Sequence, residues 1–239
     1  VTPLWYAVIA ALGNVLGGVV VVRRSSRGLR SLELSIAFGA GFMMSVVILG
    51  LLPELARQGS SWPLYMLAGY LLVHMTQHVL APHFHFGEET HAISSVVSLS
   101  VLLGIVLHTF FDGVAIASGF LSSPHLGVLL FLAVFLHKLP EGVTVASVML
   151  AGGRSVRWAL GASIAIGGAT LLGMLATRSV GALAEHGLAL AAGVTLYVAA
   201  SNLVPEFQAK RGWRSPLAFF AGVGVYLVTE SLLGGVGAA

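Results

Sequence analysis

The chain has 239 residues, 57% of them hydrophobic and 9% charged, with a mean hydropathy of +0.95. A soluble domain carries about 25% charged residues, so a water-soluble globular protein is excluded. Eight spans of about 20 residues would use about 160 positions and leave only short loops. In a membrane protein the excess Arg behind the net charge of +3 marks cytoplasmic loops rather than a nucleic-acid surface. The absence of cysteine excludes a disulfide framework, a zinc–thiolate cage and thiol catalysis.

Apolar runs predict spans at about 2–22, 32–55, 62–81, 93–120, 125–151, 157–177, 183–207 and 216–236. The first is span-length and lacks a basic leader, so it reads as a span and not as a cleaved signal. Loops after spans 1, 5 and 7 hold nine Lys and Arg (Arg23, Arg24, Arg27, Arg30, Arg154, Arg157, Lys210, Arg211, Arg214), against Arg57 and Arg178 on the opposite side. That bias predicts a cytoplasmic place for the basic loops and puts both termini outside. Short loops point to a bacterial inner membrane.

Two repeats organise the chain. His108-Thr-Phe-Phe-Asp112-Gly113-Val-Ala-Ile-Ala-Ser118 in span 4 and His137-Lys-Leu-Pro-Glu141-Gly142-Val-Thr-Val-Ala-Ser147 in span 5 share one pattern. Gly41 to Pro53-Glu54 in span 2 matches Gly193 to Pro205-Glu206 in span 7 over the same 12-residue offset. Both pairs of spans run antiparallel. The expected fold is therefore an all-α polytopic membrane protein, one transmembrane domain over 1–239, with eight helices in a 3+2+3 inverted-repeat arrangement: repeat 1 about 1–81, a central pair about 93–151, repeat 2 about 157–236. Inverted repeats are a common way to build a midplane site with two alternating exits.

Ionisable groups inside a bilayer are costly and tend to mark function. His108 with Asp112, and His137 with Glu141, are i,i+4 pairs on one helix face. Two such helices face to face would gather two imidazoles and two carboxylates, a donor set for Zn²⁺, Mn²⁺ or Fe²⁺. The bland alternative is a buried polar staple or a proton relay. Pro140 removes a backbone donor beside Glu141, and Gly113 and Gly142 would let a neighbouring helix or the ion come close.

With these residues in view, the chain resembles the ZIP (Zrt/Irt-like) family of divalent-metal transporters. Span 4 is similar to the family's H-N-x-P-E-G at His108, Thr109, Asp112 and Gly113. Span 5 is similar to its H-x-x-P-E-G at His137, Lys138, Pro140, Glu141 and Gly142, and the stretch from Leu196-Tyr197-Val198 to Pro205-Glu206 also looks familial. The resemblance implies a transporter and not an enzyme. It would carry divalent transition-metal ions, Zn²⁺ first and Cd²⁺, Fe²⁺ or Mn²⁺ next, into the cytoplasm by alternating access, with the ion as substrate and no organic cofactor. Its partners would be the metal ion and the lipid bilayer, with no nucleic acid; a homodimer stays open. Many members hold a second metal through groups that here are Thr109 and Lys138, and span 6 has no carboxylate between Arg157 and Arg178. Lys138 is therefore expected to stand where a second cation would sit, leaving one metal.

Glu54, Asn202, Glu206 and Glu230 are pathway candidates or ordinary interfacial termini. His74, His78, His83, His85, Glu88, Glu89 and His91 fit capture of the exiting ion on the cytoplasmic side, or a solvated polar loop. His125 and His186 read as outer surface residues. The alternative function is an intramembrane zinc-dependent hydrolase using the same donors with an open coordination position, although no H-E-x-x-H occurs. A polar core without flux is the third reading.

Overall fold

The computed structural model describes residues 4–23, 29–57, 59–77, 95–208 and 212–237. These form helices α1 (Leu4–Arg23), α2 (29–57), α3 (Trp62–Met75), α4 (Ser95–Ser122), α5 (Pro124–Ala151), α6 (Val156–Ser179), α7 (181–208) and α8 (Arg214–Gly237), and no strand occurs among the described residues. Seven of them are long and apolar enough to cross a membrane; α3 has 14 residues of regular helix. The predicted continuation of α3 from 78 to 81 lies outside the described residues.

Apolar side chains lie all around these helices, as expected when lipid is the solvent. On the outer faces Leu64, Leu103, Leu172, Phe220 and Leu232 are 62–69% exposed, which suits hydrocarbon and not water. Buried hydroxyls instead turn back onto their own helices. Ser45 donates to the Gly41 carbonyl, Thr144 to Pro140 and Thr177 to Gly173, so these hydroxyls need no water.

Local chemistry sets the ends. The Ser123 hydroxyl accepts a hydrogen bond from Leu126 N at 3.1 Å, and Pro124 occupies the first turn, so α5 starts one residue after α4 stops. Gly153, at φ +74°, supplies the left-handed turn after α5. Pro140 sits inside α5, which stays helical through it.

Spans 2 and 7 depart from simple helices. Each contains a π-helical turn, Val46–Leu51 in α2 and Val198–Leu203 in α7, each beginning five residues past its matched glycine, Gly41 or Gly193. Such turns insert one residue per turn and are frequent at functional sites.

The helices associate in two groups that cut across sequence order: α1, α4, α5 and α6 pack together, and α2 with α8, and α3 with α7, form the other. Small residues permit backbone contact at the tightest crossings. A Cβ on Gly17 would strike the Leu139 carbonyl, and one on Gly142 would strike the Asn14 carbonyl, across α1–α5. Gly173 meets the Phe110 carbonyl and Gly113 the Thr170 carbonyl in the same way across α4–α6. Reciprocal pairs also join α2 to α8 (Gly41 with Phe219, Gly222 with Phe38) and α3 to α7 (Gly193 with Met66, Gly69 with Leu190).

Candidate metal centre

The crossing of α4 and α5 places the two histidine–carboxylate pairs against each other in the interior. His108, Asp112, His137 and Glu141 are all buried, and one donor atom from each lies within 4.8 Å of the others. His108 Nε2 is 3.4 Å from Asp112 Oδ2 and 3.5 Å from Glu141 Oε1, and His137 Nε2 is 3.3 Å from Asp112 Oδ2. Donor atoms around a tetrahedral ion with bonds of about 2.0–2.1 Å stand about 3.3 Å apart. Three of the six separations are close to that value, within a group whose donors lie up to 4.8 Å apart.

The surrounding groups orient these donors. His137 Nδ1 is 2.9 Å from the Ala133 carbonyl one turn back, a contact that orients the ring and turns Nε2 toward Asp112 Oδ2 at 3.3 Å. Lys138, fully buried, donates to Asp112 Oδ2 at 2.6 Å and to Glu141 Oε2 at 2.8 Å. Asn14 of α1, with its amide nitrogen turned toward α5, donates to Glu141 Oε2 at 3.1 Å and to the Lys138 carbonyl at 2.6 Å. One oxygen of each carboxylate is thus engaged, while Asp112 Oδ1, Glu141 Oε1 and both ring nitrogens of His108 have no hydrogen-bond partner among the described residues. Unsatisfied buried donors and acceptors are costly, and two of these, His108 Nε2 and Glu141 Oε1, stand 3.5 Å apart.

Thr109 is buried and donates to the Val106 carbonyl at 3.0 Å. A cavity leads from His108, His137 and Glu141 past Pro140 to Gln77 of α3 and Asn202 in the π turn of α7. Asn202 therefore lines the same cavity as three of the four donors. Asn14 and Gln77 were not singled out in the sequence: an isolated amide in or beside an apolar run carries no periodic signal.

Other candidates lie elsewhere. Glu54 and Glu230 line a separate cavity at the far end of α2 and α8. His74 packs edge-on against Tyr197, with ring centres 5.8 Å apart, and is not one of the four clustered donors. The side chain of Glu206, and His78, His83, His85, Glu88, Glu89 and His91 altogether, lie outside the described residues. His125 and His186 are partly exposed and each has a partner: His125 is 2.8 Å from Glu230 Oε2, and the His186 ring stacks on Tyr65 at 3.8 Å.

Residues 85–230, including both histidine motifs, match the family described as ZIP zinc transporter. The chain belongs to the ZIP family. It is 35% identical to human zinc transporter ZIP4 over 138 residues, which is 56% of this chain and 20% of that protein. It is 30% identical to the Drosophila melanogaster zinc transporter foi over 142 residues, again 56% of this chain and 20% of the relative. Human zinc transporter ZIP6 is 33% identical over 134 residues, 52% and 18% of the two chains. The matched stretch thus spans about a fifth of the length of these curated relatives. ZIP proteins are named as transporters and not enzymes, and nothing supports the hydrolase reading.

Proposed function

We propose that the protein carries a divalent transition-metal ion, Zn²⁺ foremost, across the membrane through the centre formed by His108, Asp112, His137 and Glu141. The observation that carries this reading is the convergence of four donor atoms within 4.8 Å, with the free atoms of His108, Asp112 and Glu141 left unpartnered. Two imidazoles and two carboxylates suit a borderline ion such as Zn²⁺, while Mg²⁺ and Ca²⁺ prefer all-oxygen shells. The names of the relatives, all zinc transporters, agree.

Lys138 stands for a second cation. Its ammonium bridges Asp112 and Glu141, so the midplane holds one metal ion. Access alternates as the α1/α4/α5/α6 group moves against the other four helices. The matched π turns and the reciprocal glycine contacts support the 3+2+3 inverted repeat within a single transmembrane domain. Nine basic residues against two favour a cytoplasmic place for the loops after α1, α5 and α7, with both termini outside. The Gln77–Asn202 cavity then faces the cytoplasm, transport runs inward, and the compact loops fit a bacterial inner membrane.

Uptake of Zn²⁺ and Cd²⁺ into proteoliposomes, comparing the native chain with Glu141→Ala, tests the reading. Saturable uptake by the native protein, lost in a variant that stays folded, is expected. A native protein that binds Zn²⁺ yet moves none would overturn it. Zinc bound at the midplane in a ratio near two per chain would sink the single-ion part.

A further inference from the structure

A single residue links α4 to α5, so Ser122 at the end of α4 and His125 in the first turn of α5 move as one piece. Both reach across the boundary between the two helix groups. Ser122 donates to Glu54 of α2, and His125 Nε2 lies 2.8 Å from Glu230 Oε2 of α8. By contrast, the hydrogen bonds from Ser163 to the Gly142 carbonyl and between Tyr70 and Ser201 join helices of one group. His125, Glu54 and Glu230 line one cavity, at the end of the bundle opposite the basic loops.

Each acceptor is anchored within its own group. Glu54 also pairs with Arg57 one turn on along α2, and Glu230 with the hydroxyl of the buried Tyr226 one turn back along α8. The Tyr226 ring in turn meets Phe42 of α2 edge-on, with 5.8 Å between centres. The reaching residues stand on the two helices that carry the clustered donors. Ser122 is ten residues from Asp112 and His125 twelve from His137, or about 15 and 18 Å along the helix axes. These helices cannot slide past α2 and α8 without parting both contacts.

The titratable and charged groups around His125 are Glu230 and, behind it, Tyr226 from α8, with Glu54 and Arg57 from α2. Histidine is the side-chain type whose charge changes between pH 5 and 8. A proton on His125 turns its hydrogen bond to a carboxylate into an ion pair. The two side chains are 29% and 42% exposed, so protons from solvent reach them and screening keeps the gain modest.

We propose that the α4–α5 turn is a clasp tightened by protons. Its two contacts hold the bundle closed on the side opposite the basic loops, and protonation of His125 favours that closed arrangement. The clasp rests on the alternating-access reading for the movement it restrains.

Thiol labelling in proteoliposomes tests it, with Zn²⁺ uptake followed on the same vesicles. His125→Phe keeps a ring and loses Nε2, Ser122→Ala removes the other donor, and His125→Gln serves if the phenylalanine variant does not fold. In each background Asn202→Cys should react about two- to fivefold more slowly with an impermeant maleimide applied from the side of the basic loops. Leu129→Cys should become reactive from the opposite face. The change at Asn202, at the other end of the bundle, is one that merely loosening the turn would not produce. Labelling of Asn202→Cys in the otherwise native chain, divided by its rate with His125→Phe at the same pH, should be higher at pH 6 than at pH 8. Unchanged rates in the clasp variants, or a ratio equal at both pH values, overturn the proposal. A native chain that moves no Zn²⁺, while the variants still shift the labelling, would overturn the transporter reading and leave the clasp standing.

Discussion

Lys138 is tolerated in a low-dielectric interior because its ammonium meets two carboxylates at 2.6 and 2.8 Å. Replacing it by alanine leaves Asp112 and Glu141 facing each other without a counter-charge, and breaking a buried pair in this way typically costs about 3–5 kcal/mol. Lys138→Ala is therefore expected to lower the thermal unfolding midpoint of the metal-free protein, and added Zn²⁺ should raise it by more than in the native chain. A variant as stable as the native protein without metal would show that the lysine is not compensating charge. Asn14 acts differently, by holding Glu141 Oε2 aside so that Oε1 faces the ion. Asn14→Ala removes that donor from a buried acceptor at a cost of about 1–3 kcal/mol, and Zn²⁺ titration of the midplane site should show several-fold weaker binding. Unchanged affinity would reduce Asn14 to a packing residue.

At the level of helices, the tight crossings fix where the four clustered donors stand. Gly113 is adjacent to Asp112, and a side chain there would strike the Thr170 carbonyl of α6, so Gly113→Leu forces α4 and α6 apart. Gly161 has nothing within 4 Å of its Cβ position, and Gly161→Leu is expected to be tolerated. Unfolding curves in detergent should separate the two, with overpacking of this kind costing about 1–3 kcal/mol or more; equal stability would deny the crossing its role. The all-helical fold was readable from the sequence because uninterrupted apolar runs leave few alternatives in lipid. The four clustered donors were readable because an i,i+4 repeat on two helices carries its own symmetry. Helix partners were not readable: faces apolar all round carry no directional pattern, so nothing local told α1 to seek α5 or α2 to seek α8. The π turns were hidden for a related reason, since an inserted residue in a uniformly apolar run leaves no break in periodicity. His125 escaped because its partner, Glu230, lies 105 residues away.

At the scale of the whole molecule, the Gln77–Asn202 cavity reaches His108 and Glu141, while the cavity at the opposite end is lined by the buried Leu126 and Leu129 and by none of the four clustered donors. The chain has no cysteine, so single cysteines report accessibility directly. Asn202→Cys is expected to react quickly with a membrane-impermeant maleimide applied from the side of the basic loops, and Leu129→Cys to stay silent from both sides; rapid labelling at 129 from the opposite face would reverse the assignment. Lys138 also has an electrical consequence at this scale. With both imidazoles neutral, two carboxylates and one ammonium leave the empty centre with one negative charge, and a divalent ion turns that into one positive charge. In the inward cycle proposed above, a potential negative on the cytoplasmic side would draw the loaded centre inward and drive the empty centre back outward, each by as much as about 2.3 kcal/mol per 100 mV. Without the lysine, the loaded centre would be neutral and the whole effect would fall on the return stroke. The buried ammonium thus lets voltage act on both halves of the cycle.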